Sequence, residues 1–174
     1  TELYYIEETK GKSIVDMQVI VDTLVVGTSY GWVYYFDVTN TPTLTSKDSL
    51  VIGETVTSIS FRNNDLFVST HHGGVGANKI WKYKKGDSSI KSRFGYADIA
   101  EIKISDDLLL SANKMHGIKA YDVQDVLLID SVETGGIVQV YHAFDDYSYL
   151  MENERGLRII KNIFQSPQFI FQEK

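Results

Sequence analysis

The chain contains no cysteine. Disulfides, cysteine-ligated zinc and thiol nucleophiles are excluded together, while the compartment stays open. Proline is nearly absent, at two residues in 174, and no Gly/Ser- or Pro-rich tract marks a linker. No apolar run approaches the roughly 20 residues that a membrane helix needs. Basic charge is not in excess: the formal net charge is −6, which argues against a general nucleic-acid surface. No segment sustains a 3.6-residue apolar period between caps, so almost no helix is expected. The motifs H-E-x-x-H, Ser-His-Asp order and nucleophile elbow are also missing. The opening Thr-Glu-Leu-Tyr-Tyr has neither an initiator Met nor the basic start and apolar run of a signal peptide. The expectation is a processed or truncated piece of something longer.

What is present is alternation. Aromatic residues make up 12% of the chain, eleven Tyr and eight Phe among them, and lean it toward strands. Residues 14–21 set Val15, Met17, Val19 and Val21 against Asp16 and Gln18, a period of two. The stretch from Leu108-Leu-Leu-Ser through Gly117 to Tyr121-Asp-Val123 has three counterparts. Leu24-Val-Val-Gly runs through Gly31 to Tyr35-Phe-Asp37-Val38. Leu66-Phe-Val-Ser runs through a longer loop to Trp81-Lys-Tyr83, and Ser148-Tyr-Leu-Met151 through Gly156 to Ile159-Ile160.

Leu24 to Leu66 and Leu66 to Leu108 are each 42 residues, and Gly117 to Gly156 is 39. Four-stranded units recurring at about 40–45 residues are the signature of a β-propeller. The fold class expected is all-β, one β-propeller domain over residues 1–174 with four four-stranded blades. The units are 13–53, 54–94, 95–135 and 136–174, and residues 1–12 hold a leading strand, 3–6, that belongs to a preceding blade. In unit four the outer strand is expected at 169–171.

Gly156-Leu-Arg-Ile-Ile160, Tyr35-Phe-Asp37-Val-Thr-Asn40-Thr-Pro42 and Ala120-Tyr-Asp122-Val123 resemble the repeat of the LVIVD-type β-propellers, distant relatives of WD-repeat proteins. The resemblance covers nearly the whole chain and implies fold more than function. Unit two has Lys84 and unit four Lys161 where the repeat has Asp, and only unit one keeps the Asn-x-Pro turn. No Trp-Asp dipeptide occurs, so the chain does not read as a WD-repeat protein proper. The resemblance implies a surface-exposed or secreted location.

In a propeller, loops joining second to third strands share an end with loops joining one blade to the next. That end would collect Tyr30 and Trp32 from unit one, His71, His72, Gly74 and Asn78 from unit two, Asn113 and His116 from unit three, and Glu152, Glu154 and Arg155 from unit four. Binding residues tend to sit on loops held by a rigid scaffold. His71, His72, His116 and Glu152 offer the imidazole–carboxylate mixture that suits zinc; the plainer reading is solvated loop histidines. Gly73-Gly-Val-Gly76 lacks the rest of a phosphate loop and no helix follows it. Asp106-Asp107 and Asp145-Asp146 read as turns, since calcium needs six to eight oxygen ligands. His142 reads as a buried strand histidine, and Asp16 either lines a channel or bonds between blades. Trp32 and Trp81 read as wedges between blades, or as hot spots where exposed.

The function expected is a non-catalytic scaffold that binds a protein partner through this loop end, with no cofactor, no metal, no nucleic acid and no membrane span. The alternative is a propeller enzyme or a ligand- or metal-binding protein using the same end. Surplus strand 3–6 implies the remaining blades of a larger propeller; the other readings are a ring completed by self-association and closure as four blades.

Overall fold

A period of two places alternate side chains on opposite faces of an antiparallel ladder, each of which must find a neighbour or water. The computed structural model describes residues 9–40, 44–71, 79–84, 87–94, 98–105, 107–114, 116–124, 127–135, 138–144, 147–152 and 156–161. Fifteen strands form among them. The first sheet holds β1 (Ile14–Ile20), β2 (Thr23–Thr28), β3 (Trp32–Asp37) and β4 (Thr45–Val51). The second holds β5 (Thr55–Arg62), β6 (Asp65–His71), β7 (Lys79–Lys84) and β8 (Asp87–Phe94). The third holds β9 (Ile99–Ser105), β10 (Leu108–Asn113), β11 (Gly117–Asp122) and β12 (Leu128–Val132). The fourth holds β13 (Val138–Phe144), β14 (Tyr147–Glu152) and β15 (Gly156–Lys161). Residues 3–6 and 169–171, expected as strands, lie outside the described residues.

Every sheet is an antiparallel meander. Each first hairpin closes on a two-residue turn, which aligns Thr23, Asp65, Leu108 and Tyr147 at the start of the second strand. Leu24 therefore aligns with Leu66 and Leu109, not Leu108, and the spacing drifts by one residue. The third strand opens on Trp32, Lys79, Gly117 and Gly156. Gly31, read as the counterpart of Gly117, stands one place earlier.

The chain divides into two compact units, Thr1–Tyr96 and Ala97–Lys174. In the first, Val25, Val33, Tyr35 and Leu50 of one sheet meet Val56, Ile59, Val68 and Trp81 of the next. Trp81 thus fills the inter-sheet core. Glycine permits the approach: a Cβ on Gly27 would stand 2.9 Å from Cγ1 of Val56 and 3.2 Å from Cγ2 of Ile59. Beside it Asp16 bonds across the joint, its Oδ2 accepting from Ser58 Oγ and the Ile59 amide, both at 2.8 Å. Of the two readings of Asp16, sheet-to-sheet bonding is the one realised. In the second unit, Leu110, Ala112, Ile118 and Ala120 meet Val138 and Leu150 in the same way.

The Asp of the repeat motif has a local cause. Asp37 and Asp122 both end a third strand, and each Oδ1 accepts from the amide two residues on, Thr39 at 2.8 Å and Gln124 at 2.7 Å. These are Asx turns. Lys84 and Lys161 occupy the same register position in the other two sheets. Lys47 bridges Asp37 at 3.1 Å and Asp22 at 3.5 Å. The Thr39 hydroxyl and amide, with Lys47, hold the Asp37 carboxyl down to about 2.

Two glycines in one register position make a controlled comparison. Gly117 and Gly156 both have φ near +70°, at 69° and 74°. A Cβ on Gly117 would fall 1.9 Å from the Val132 carbonyl oxygen, whereas none of the described atoms stands within 4 Å of one on Gly156. In urea unfolding, Gly156→Ala is expected to cost about 1 kcal/mol for the left-handed backbone alone. Gly117→Ala is expected to cost about 3 kcal/mol or more, because backbone must also move. Val21, β-branched at φ 52° where the second sheet has Asn63 at 53°, gives the opposite sign. Val21→Asn is expected to raise stability by about 0.5–1 kcal/mol in the same assay.

Candidate functional site

Loops joining second to third strands do share an end with the loops leaving each sheet. The Gly31 carbonyl accepts from the amides of Ile52 at 2.8 Å and Gly53 at 3.4 Å. In the second unit, Gly117 is crowded by residues 132–134, and the Val138 amide donates to the Lys114 carbonyl at 3.0 Å.

At this end the sixth residue of each second strand is polar: Thr28, Thr70, Asn113 and Glu152. All four are buried; Thr28, Thr70 and Glu152 tie their hairpins together, and Asn113 bonds back onto its own strand. Thr28 Oγ1 accepts from the Trp32 amide at 3.2 Å. Asn113 Nδ2 donates to the carbonyl and the hydroxyl of Ser111, at 3.0 and 2.9 Å. Glu152 accepts from Arg158 Nη1 at 3.0 Å, and the same nitrogen donates to the Thr134 carbonyl at 2.6 Å. Arg158 thereby joins the loop leaving the third sheet to the fourth.

The fullest network is at the second sheet. Trp81 Nε1 donates to Thr70 Oγ1 at 3.0 Å, and Thr70 donates to Glu54 Oε2 at 2.7 Å. Lys79 pairs with the other Glu54 oxygen and lies 5.3 Å from the centre of the Trp81 ring. Glu54 belongs to the loop leaving the first sheet, so the network locks that loop onto the second. Burial pushes the Glu54 carboxyl up; bonds from Lys79 and Thr70, with the Lys79 charge, outweigh it and leave it below its ordinary value. Burial, helped by Glu54, pushes the nearby Tyr83 hydroxyl up to about 12.

Of the residues read as a binding face, Tyr30, His71 and His116 are exposed. Trp32 is half-buried, stacked on Tyr34 at 5.8 Å between ring centres, with Lys12 over both rings. Asn113 and Glu152 are enclosed, and the bonds above are their surroundings. His72, Gly74, Asn78, Glu154 and Arg155 lie outside the described residues, as does the side chain of His142. Among the described residues, no three His, Asp or Glu side chains gather as a metal site. The sequence reading passed over Glu54, Thr70 and Lys79. Their signal was available in part: a carboxylate in the inter-unit loop, with a polar strand end and a Lys-x-Trp start to follow.

No family model matches the chain, and no curated protein matches it in sequence. Solved structures do match. The computationally designed Ika8 protein has a TM-score of 0.70 at 12% identity, over 86% of this chain and 46% of that one. The designed Ika4 protein has a TM-score of 0.70 at 17% identity, over 92% of this chain and 98% of that one. BamB from Moraxella catarrhalis has a TM-score of 0.68 at 10% identity, over 83% of this chain and 42% of that one. The WD40 beta propeller domain of Doa1 has a TM-score of 0.66 at 10% identity, over 87% and 52%. The chain thus spans about half the length of Ika8, BamB and the Doa1 domain. At such identities the likeness shows the fold alone, an all-β propeller arrangement of antiparallel sheets.

The Glu54 network yields a pH test. Its folded-state pKa is depressed, so below about pH 4.3 the unfolded chain takes up the proton first and stability falls with pH. Glu54→Gln is expected to lose about 1–3 kcal/mol at pH 7, leaving Lys79 partly buried without its carboxylate. The gap to wild type should be full above the unfolded carboxylate range and shrink as pH falls through the folded Glu54 value. Urea midpoints from pH 7 to pH 3 measure it; a gap independent of pH would rule out the carboxylate as its source.

Proposed function

We propose that the chain is a non-catalytic propeller scaffold that binds a protein partner through the loop end of its sheets. One observation carries the reading. The ionic and hydroxyl groups described at that end — Glu54, Lys79, Thr70, Glu152 and Arg158 — bond to one another and brace the loops. Groups so engaged rigidify a surface and do not present an acid, a base or a nucleophile to a substrate. Tyr30, His71 and His116 are exposed on the braced frame, and aromatic residues on a preorganised surface are favoured anchors for a partner. The propeller is of the LVIVD repeat type in this reading, on the strength of its Asp37 and Asp122 turns and the Gly156-Leu-Arg-Ile-Ile160 run. The glycine-rich loop around Gly74, the largest departure from the repeat, is part of the contact surface.

A photo-reactive phenylalanine analogue placed at position 30, at 116, or at the opposite end at 64 tests this in extract of the native cell. A discrete adduct shared by positions 30 and 116 and missing at 64 is expected, and shortening residues 73–78 should abolish it. Equal labelling at all three positions, or none, would overturn the reading. Stoichiometric zinc in the purified protein, lost in His71→Ala/His72→Ala, would replace it with the metal-binding alternative.

A further inference from the structure

Lys12 and Glu54 hold one register position. Ile14 pairs with Thr28 and Val56 with Thr70, so residues 12 and 54 each stand two places ahead of that pair. On the third strands, Trp32 and Tyr34 correspond to Lys79 and Trp81. Both sheets set a lysine ammonium over the ring at position 34 or 81, by different routes. Lys79 Nζ lies 5.3 Å from the centre of the Trp81 ring. Lys12 Nζ lies 4.5 Å from the centre of the Tyr34 ring and 5.3 Å from that of Trp32, and it donates to the Tyr34 hydroxyl. All of these residues belong to the first compact unit.

Charge balance separates the two arrangements. Lys79 is paired with the Glu54 carboxylate. Lys12 is half-buried, and among the described residues its ammonium meets one hydroxyl and two ring faces but no carboxylate. Rings and a hydroxyl offset part of a cation's lost hydration, and an anion offsets more. Lys10, exposed, adds a second positive charge two residues away. The turn that presents both is set, since the Lys12 amide donates to the Thr9 carbonyl at 3.0 Å and Gly11 takes φ 73°.

We propose that Lys12, with Lys10 beside it and Trp32 beneath, takes a carboxylate from an acidic peptide segment of the protein partner. That carboxylate does for the first sheet what Glu54 does for the second. The occupant is acidic because the half-buried cation lacks the anion its counterpart has. It is peptidic because the loop end serves a protein partner, a reading on which this inference rests. With a net charge of −6, the molecule as a whole repels an acidic segment, so binding is confined to places where cations are in local excess.

The probes are acetylated and amidated triglutamate and triglutamine, titrated into the isotope-labelled chain at low salt and followed by NMR. With two Trp in the chain, two indole N–H resonances report, and that of Trp81, bonded to Thr70, is the internal control. Triglutamate is expected to shift the Trp32 resonance and triglutamine to leave it. The affinity should fall at least about threefold between about 20 and about 200 mM salt. Lys12→Met is expected to weaken triglutamate binding at least about fivefold, and Lys12→Arg to retain it. Circular dichroism should be unchanged in both variants.

A Trp32 resonance indifferent to triglutamate, or a response that Lys12→Met leaves intact, would overturn the proposal. So would sulfate reproducing the triglutamate shift at equal ionic strength, because that assigns a general anion site. In cell extract, Lys12→Glu should abolish the adduct at position 30, and Lys12→Arg should retain it. An adduct that survives Lys12→Glu removes the acidic segment and leaves the scaffold reading standing. No adduct in the wild type removes the scaffold reading, while the titration decides the carboxylate site by itself.

Discussion

Everything in the described fold depends on how closely one sheet lies against the next. A sheet of this kind is apolar on both faces, and four short strands alone bury too little to hold together. The joint at Gly27 provides the missing area. With no Cβ there, Val56 and Ile59 settle onto the backbone of β2, and Val25, Val33 and Tyr35 close around them. The second unit meets the constraint with Ala112 instead. A small residue at this register position sets the close spacing of these two joints, and interiors packed to crystal-like density tolerate little deviation.

The polar parts of the structure serve the same joint. Asp16 crosses from the first sheet to Ser58 and the Ile59 amide of the second, fixing the height at which they stack. Glu54 and Arg158 make corresponding ties at the loop end. The carboxylate in each tie, half-buried for Asp16 and Glu54 and enclosed for Glu152, is tolerable because every tie brings a cation or several hydrogen-bond donors to it. The loop end is consequently rigid where it is charged and exposed where it is aromatic or imidazole.

Much of this was legible in the sequence, and the places where it was not have physical causes. Period-two alternation located thirteen of the fifteen described strands to within about two residues; the exceptions are the outer strands β4 and β8. An outer strand packs on one face only, so Thr45-Ser-Lys-Asp-Ser carries little apolar pattern. Counting residues between leucines misaligned Leu108 by one, because pairing register follows the two-residue turns and not the apolar run. The candidate face was read by loop membership, which placed Asn113 and Glu152 among surface residues. Both are the last paired residue of a second strand, and an inward strand end is buried whatever its polarity. The recurrence of Thr28, Thr70, Asn113 and Glu152 at one register position becomes visible only once the repeats are aligned correctly.

That alignment also distinguishes two kinds of apolar exposure. Isolated exposed apolar side chains are ordinary on any protein surface. Met17 and Leu157 are different because their register counterparts, Ile59 and Val33, are among the most enclosed residues of the chain. Repeat architecture supplies the reference state: each sheet displays what its neighbours do with the same position. The loop end is braced independently by Glu54 and Arg158.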